Sequence, residues 1–293
     1  MITRVGVIGC GLMGSGIAQA AASAGFDTIA RDVSQPLLDR GRAGILKSLG
    51  RLVERGKMTP EARDAALAKL RFVTNLDELR DRDIVVEAVT EELALKNGLW
   101  RELDSMCPAR TIFASNTSSL TIASMAGSTS RPDRFVGLHF FNPVPMMPLV
   151  EVVRTGTTSA DTFEQAYAFA RALGKEPVAA TDTPGFIVNL LLVPYLVDAA
   201  RALERGTAST ADIDRAMQLG AGHPMGPLSL LDYIGLDTVV RIADIMSAAY
   251  KDARYEAPPL LRQMVDRGDH GRKSGKGFYD YSVDPPRPVE LRR

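Results

Sequence analysis

The segment Val5-Gly-Val-Ile8-Gly9-Cys10-Gly11-Leu12-Met13-Gly14 constrains this chain more than any other. A short apolar run, three glycines at G-x-G-x-x-G spacing and an Ala-rich stretch to Gly25 read in order as strand, tight turn and helix start. A dinucleotide-binding turn needs that order. Gly9 permits the sharp turn, and Gly11 lets the backbone approach a pyrophosphate lying at a helix N-terminus. Gly14 lets that helix pack close to the strand, and Leu12 and Met13 between the glycines count with them as cofactor contacts. A second apolar run, Thr28-Ile29-Ala30, leads to Asp32, 18 residues beyond Gly14, where a carboxylate can accept hydrogen bonds from the adenine-ribose hydroxyls. Two readings stand on these residues alone: a nicotinamide or flavin dinucleotide site, or a structural strand–turn–helix with an ordinary surface Asp.

A chain of 293 residues holds one large or two medium domains, each able to bury a real core. Its 45% hydrophobic and 24% charged residues are ordinary for a soluble globular protein. No apolar run approaches the roughly 18 residues of a membrane span. The chain enters its first strand without a basic and then apolar leader, so secretion is not expected. Cys10 and Cys107 are the only cysteines, and Cys10 sits inside the glycine turn, a poor place for a disulfide. The expected location is the cytoplasm.

The zero net charge is unevenly spread. Residues 40–71 hold nine Lys or Arg against three acids, a local excess of six positive charges. Such a segment fits a polyanionic ligand such as a nucleotide or coenzyme phosphate, and equally a solvated helix face. Nucleic acid is disfavoured, because no aromatic residues interleave with the charges and the total is balanced.

Strand-like runs alternate with helical patterns through the first 180 residues, which predicts a doubly wound parallel sheet with helices on both faces, a Rossmann-type α/β domain. The runs at 84–89, 111–115, 135–141 and 149–153 read as strands, and 61–70 and 96–106 as helices. From Pro184 the pattern changes. Residues 186–205, 212–219 and 236–250 read as helices between Gly/Pro turns. This predicts a dinucleotide-binding domain over 1–183, with a helical arm at about 36–71, and an all-α domain over 184–293. The tail from Asp284, rich in proline, reads as extended or disordered.

Only three histidines are present, His139, His223 and His270. Oxidation of an alcohol needs a group that accepts the hydroxyl proton while hydride leaves, and imidazole suits that task near neutral pH. His139 ends an apolar strand, and ligands of open α/β sheets bind outside strand carboxyl ends. Glu151, flanked by valines in the next strand, needs a buried partner, and imidazolium is a good one. A core histidine beside an unrelated Glu is the other reading. His223 lies in a Gly/Pro turn and His270 in a Gly-rich segment, and both read as structural or exposed. No H-x-x-x-H or C-x-x-C spacing exists, so no metal is expected. Ser118 and Ser119 lack the G-x-S-x-G context of a hydrolase nucleophile.

Three blocks, Ser115-Asn-Thr-Ser118-Ser, Gly137-Leu-His139-Phe-Phe-Asn142-Pro-Val-Pro and Asp182-Thr-Pro-Gly-Phe-Ile-Val-Asn189, resemble the L-3-hydroxyacyl-CoA dehydrogenase family, and its short bacterial 3-hydroxybutyryl-CoA members above all. The resemblance runs from Arg4 to about Tyr281 and includes Ala221-Gly-His-Pro-Met-Gly-Pro227 and Gly271-Arg-Lys-Ser-Gly-Lys-Gly-Phe-Tyr279. It implies that His139 is the general acid/base toward the 3-hydroxyl and that Glu151 orients it and favours its protonated form. Ser118 would hydrogen-bond the substrate oxygen, and Asn189 would reach the substrate from the first helix of the second domain. Asp32, Glu91, Lys96, Asn116, Ser118 and Asn142 match the family's NAD contacts, with Lys96 pairing Glu91. Ser48, Arg55 and Lys57 fall on the arm that binds CoA phosphates in the family, which tips the basic segment toward a ligand. The resemblance further implies an acyl-CoA substrate, no nucleic acid or membrane partner, and a homodimer formed through the helical domain.

Three departures stand out. Leu190 occupies a position where many relatives carry Arg, and His223 one where some carry Tyr. Arg31 precedes Asp32, and a guanidinium there suits a 2′-phosphate, so the sequence leaves NADP open beside NAD. A dehydrogenase of a free hydroxy acid is the competing reading of the same fold, but a small acid has no use for a basic arm.

Overall fold

A computed structural model describes residues 1–290. The chain forms two compact units that divide after Phe186.

The first unit runs β1 (Arg4–Ile8), α1 (Leu12–Ser23), β2 (Asp27–Arg31), α2 (Gln35–Glu54), α3 (Pro60–Ala68), β3 (Leu70–Val73), β4 (Ile84–Glu87), α4 (Leu93–Met106), β5 (Ile112–Ser115), α5 (Ile122–Ala126), β6 (Phe135–Phe140), β7 (Leu149–Arg154), α6 (Ala160–Ala172) and β8 (Glu176–Thr181). The strands form one sheet in the order β3-β2-β1-β4-β5-β6-β7-β8. From β3 to β6 every pair is parallel, the doubly wound arrangement expected. Strands such as β4 and β5 are buried along their whole length, because helices cover both faces. On one face Val5, Val7, Ile17, Ala21 and Leu138 share a core. On the other, Trp100 lies between Phe113 and Phe135, with ring centroids 5.1 and 4.8 Å away. The small residues of α1 let it approach the sheet closely, and a Cβ at Gly16 would lie 2.7 Å from the Val144 side chain.

Two expectations about the sheet need correction. It is not wholly parallel: β7 runs antiparallel to β6, and β8 is parallel to β7. The connection between β6 and β7 covers only residues 141–148, too short for a crossover helix, so the chain must turn back. The helix expected over 61–70 ends at Ala68, and Leu70–Val73 is the edge strand β3 beside β2. That run is four residues long and follows the helix after Lys69 alone, which leaves it almost no pattern of its own.

The second unit comprises α7 (Val188–Glu204), α8 (Thr210–Ala221), α9 (Pro227–Ile234), α10 (Leu236–Tyr250) and α11 (Pro259–Asp266), followed by a two-stranded ribbon of β9 (Tyr279–Asp280) and β10 (Arg287–Pro288). The ribbon departs from an all-helical reading and gives part of the proline-rich tail a paired place; residues 291–293 of that tail lie outside the described residues. The short helices α9 and α11 each begin with Pro, which suits a first helical position but reads as a turn in sequence. Leu190 packs against the apolar core of this unit, so an aliphatic chain serves there in place of Arg.

Two buried carboxylates organise this unit. Asp214 accepts from the backbone N–H of Leu228 (2.7 Å) and Ser229 (2.9 Å), capping α9, and from the Tyr279 hydroxyl (2.9 Å). Asp232 accepts from the N–H groups of Phe278 and Tyr279, both at 2.9 Å, and from the Tyr281 hydroxyl at 3.0 Å. Burial pushes Asp232 up to about 6 against the pull of those donors. Gly277 is needed for this contact, since a Cβ there would lie 1.9 Å from Asp232 Oδ1.

Candidate active site

The glycine turn links β1 to α1. Gly9 has φ +94°, a conformation that strains residues with a Cβ, and its N–H donates to the Arg31 carbonyl at 2.8 Å. A Cβ on Gly14 would lie 1.7 Å from the Gly9 carbonyl oxygen, so helix and turn meet only because that position is glycine. Gly11 is different: nothing stands within 4 Å of where its Cβ would be. Open space at the middle glycine, an α1 N-terminus without a side-chain cap and no acid in its first turn suit a pyrophosphate. Leu12 and Met13 stand in that first turn. Asp32, just past β2, accepts from the N–H of Cys10 (2.7 Å) and of Val33 (2.7 Å), which fixes its carboxylate beside the turn. Arg31 directs its Nε–H to the Thr74 carbonyl at 3.1 Å. Burial, reinforced by Asp32, pushes the Cys10 thiol up to about 12, so it takes no part as a thiolate.

Beyond β4 lies a buried ionic network. Lys96 on α4 places Nζ 2.5 Å from Glu87 Oε1 and 3.2 Å from Glu91 Oε2. The expected partner, Glu91, is therefore one of two. Glu87 also accepts from the Ser115 hydroxyl and the Val89 N–H, both at 2.7 Å. Glu91 accepts from Ser118 N–H and the Ser119 hydroxyl, both at 3.0 Å, and from the Thr117 hydroxyl. Burial raises the Glu91 pKa, but Lys96 and the Thr117 and Ser118 donors outweigh it and hold the group below the usual carboxylate range. Sequence reasoning passed over Glu87 as one more residue of an apolar strand. The available signal was an acid in an otherwise apolar run, which demands a buried cation.

Asn116 bridges the strand ends: its N–H donates to the Glu87 carbonyl (2.8 Å) and its Oδ1 accepts from Phe140 N–H (2.9 Å). The residue before Phe140 is His139. In the antiparallel β6–β7 register His139 faces Glu151 directly, and Nδ1 lies 2.6 Å from Glu151 Oε2. The two are 5% and 0% exposed. With Nδ1–H given to the carboxylate, Nε2 is the nitrogen left to exchange a proton with substrate. The imidazole packs against Phe141 and Phe186, with centroids at 4.5 and 5.6 Å. Asp182, in the third sequence block, accepts from the N–H groups of Ile122 and Ala123 at 2.7 Å each and caps α5.

The ends of β1, β4, β5 and β6 thus gather the glycine turn, Asn116, Ser118 and His139 at the carboxyl edge of the parallel strands. Asn142 lies in the turn after β6, and Asn189 is in the first turn of α7 in the second unit. Ser48 lies half-buried on α2; Arg55 ends that helix, and Lys57 is exposed in the turn before α3. His223 Nδ1 is 2.9 Å from the Tyr195 hydroxyl, and His270 Nε2 is 3.2 Å from the Val265 carbonyl oxygen, so both imidazoles serve local packing. Among the described residues no cluster of three or more His, Cys, Asp or Glu could hold a metal ion, and no helix is long and apolar enough to cross a membrane.

A glycine turn at the carboxyl edge of a parallel sheet, with a buried imidazole–carboxylate pair on the same sheet, defines a dinucleotide-dependent oxidoreductase. Comparison with known proteins narrows the class. Residues 4–183 match the 3-hydroxyacyl-CoA dehydrogenase NAD-binding domain, and residues 185–281 the C-terminal domain of the same family. The chain is 48% identical to a 3-hydroxybutyryl-CoA dehydrogenase of Mycobacterium tuberculosis, over 96% of this chain and 99% of that protein. It is also 48% identical to the human mitochondrial hydroxyacyl-coenzyme A dehydrogenase, over 96% of this chain and 92% of the other. The crystal structure of an (S)-3-hydroxybutyryl-CoA dehydrogenase from Ralstonia eutropha superimposes with a TM-score of 0.93 at 42% identity, covering 97% of this chain and 100% of that one. The chain belongs to the 3-hydroxyacyl-CoA dehydrogenase family and is an NAD-dependent oxidoreductase acting on a CH–OH group.

Proposed function

We propose that this enzyme interconverts (S)-3-hydroxybutyryl-CoA and acetoacetyl-CoA, with His139 as the general acid/base. The observation that carries the assignment of roles is the 2.6 Å contact between His139 Nδ1 and Glu151 inside the β6–β7 pair. In oxidation the hydroxyl proton passes to His139 Nε2 as the C3 hydride leaves, and the C3–O bond becomes a carbonyl. Bound NAD supplies the hydride acceptor. Glu151 stabilises the imidazolium that forms, and in reduction the same proton returns to the carbonyl oxygen. Ser118 hydrogen-bonds the reacting oxygen, while Asn189 contacts substrate from α7. Gly9, Gly11, Leu12, Met13 and Gly14 hold the pyrophosphate, and Glu91, Lys96, Asn116 and Asn142 complete the nicotinamide-nucleotide contacts. Asp32 accepts the ribose hydroxyls and repels a 2′-phosphate, which favours NAD over NADP. Ser48, Arg55 and Lys57 grip the CoA phosphates.

The same reading makes the enzyme a cytoplasmic homodimer joined through the helical unit. Free, buried Cys10 and Cys107 support a reducing compartment, and the exposed Leu191 and Leu219 support an apolar interface on that unit. The test is a nicotinamide absorbance assay with acetoacetyl-CoA and free acetoacetate, each with NADH and NADPH. Turnover of the thioester with NADH is the expected result. Faster reduction of the free acid would overturn the CoA assignment, and a preference for NADPH at limiting cofactor would put Arg31 above Asp32.

A further inference from the structure

The buried network under the Ser115–Ser119 loop does more than the sheet requires. Placing an ammonium and a carboxylate out of water, beside a second carboxylate that is largely covered, is costly, and an apolar cluster of equal volume would hold a sheet as well or better. Lys96 is 1% exposed and Glu87 0%. Both carboxylates also accept from the same loop, Glu87 alongside its bond from the Val89 N–H. Glu87 takes the Ser115 hydroxyl, whose oxygen in turn accepts from the Thr117 N–H at 3.2 Å. Glu91 takes the N–H of Ser118 and the hydroxyls of Thr117 and Ser119. Lys96 ties the two acids together and reaches toward the Val89 carbonyl at 3.5 Å. The loop is therefore held at both ends by one charged unit anchored between β4 and α4.

We propose that Glu87 is a positioning residue of this active site: through Lys96 and Ser115 it fixes Glu91 and the loop, and so sets where Ser118 meets the substrate oxygen. The inference rests on the reading of Ser118 as a substrate contact. An ionised Glu91 accepts three donors from consecutive residues 117–119, a grip that a neutral side chain would make weaker. Removing the Glu87 charge leaves Lys96 leaning on Glu91 alone, and the oxygen that orders Ser118 is drawn away.

The test is Glu87→Gln in the full-length enzyme, which keeps the volume and one acceptor oxygen for Lys96 and the Val89 N–H, turns the other oxygen into an NH2 that can donate to the Ser115 hydroxyl oxygen, and removes the charge. A double-mutant cycle with Ser118→Ala separates the possibilities. Expected are a loss of about ten-fold in kcat for acetoacetyl-CoA reduction with little change in KM for the thioester, and no further loss in the double variant beyond Ser118→Ala alone. Multiplicative losses, or wild-type kcat in Glu87→Gln, would overturn the proposal. Wild-type kcat in Ser118→Ala would instead remove the reading of Ser118 on which it rests. Should Glu87→Gln not fold, Ser115→Ala deletes only the hydroxyl between Glu87 and Thr117. It should show a several-fold kcat loss and the same lack of additivity with Ser118→Ala, and wild-type kcat there would equally refute the idea.

Discussion

Glu151→Gln separates orientation from charge at the catalytic pair. Glutamine keeps the length of the side chain and an oxygen that can accept the Nδ1–H, but no longer carries a charge. Water does little to soften the change, since Glu151 is 0% and His139 5% exposed. Two unit charges about 4 Å apart are worth about 4 kcal/mol at an effective dielectric constant of 20, an upper bound here. A hydrogen bond to a charged group contributes about 1.5–3 kcal/mol against about 0.5–1.5 for a neutral one, so the lost stabilisation of the imidazolium is about 1–2 kcal/mol. At 1.36 kcal/mol per factor of ten, kcat for oxidation of 3-hydroxybutyryl-CoA should fall roughly 5- to 30-fold. His139→Gln removes the proton acceptor itself and should cost about 10²–10⁴ with NAD binding retained. The assay is kcat by nicotinamide absorbance at saturating substrate for both variants beside the wild type. Wild-type kcat in Glu151→Gln would mean the carboxylate does not stabilise the imidazolium. A loss as deep as that of His139→Gln would mean the ring is displaced, and the division of roles argued here would fail.

Gly14→Ala forces a Cβ to within 1.7 Å of the Gly9 oxygen, so α1 must shift off the turn; overpacking of about 1–3 kcal/mol and an NADH affinity at least ten-fold weaker should result, and unchanged affinity by fluorescence titration would refute the close-packing argument. Asp232 is pushed up to about 6, above the ordinary value of about 3.9, so the folded state holds its proton more tightly than the unfolded chain. Its contribution is greatest below about pH 4, declines as pH rises to about 6 and is level above, so the wild-type minus Asp232→Asn unfolding free energy should fall by up to about 3 kcal/mol across that window; a flat difference would show no such shift. Replacing Ser48 and Lys57 by Ala should raise KM for acetoacetyl-CoA several-fold and leave kcat for a truncated pantetheine thioester unchanged, because a remote phosphate contact contributes uniform binding. Equal effects on both substrates would make the arm a structural element only.

Much of this enzyme was determined within short stretches of sequence. The β1–turn–α1 unit is legible because its causes are local: an apolar run, glycines where a Cβ would collide, and small residues along a helix. His139 and Glu151 were legible as candidates, since an acid and an imidazole among valines and phenylalanines each require a partner. Their pairing was decided only by tertiary structure. The chain turns back between residues 141 and 148, and that reversal brings His139 opposite Glu151 across an antiparallel pair. The bond between Glu87 and Lys96 was hidden for a related reason. The sequence shows an acid in a strand and a lysine in a helix, but which cation neutralises a buried carboxylate depends on how helix and strand pack. The edge strand β3, four residues long, takes its identity from β2 alongside it. Periodicity and glycine sterics act over a few residues and survive in a string of letters. Register, strand direction and the pairing of buried charges are settled by contacts between distant segments, and those exist only once the chain has folded.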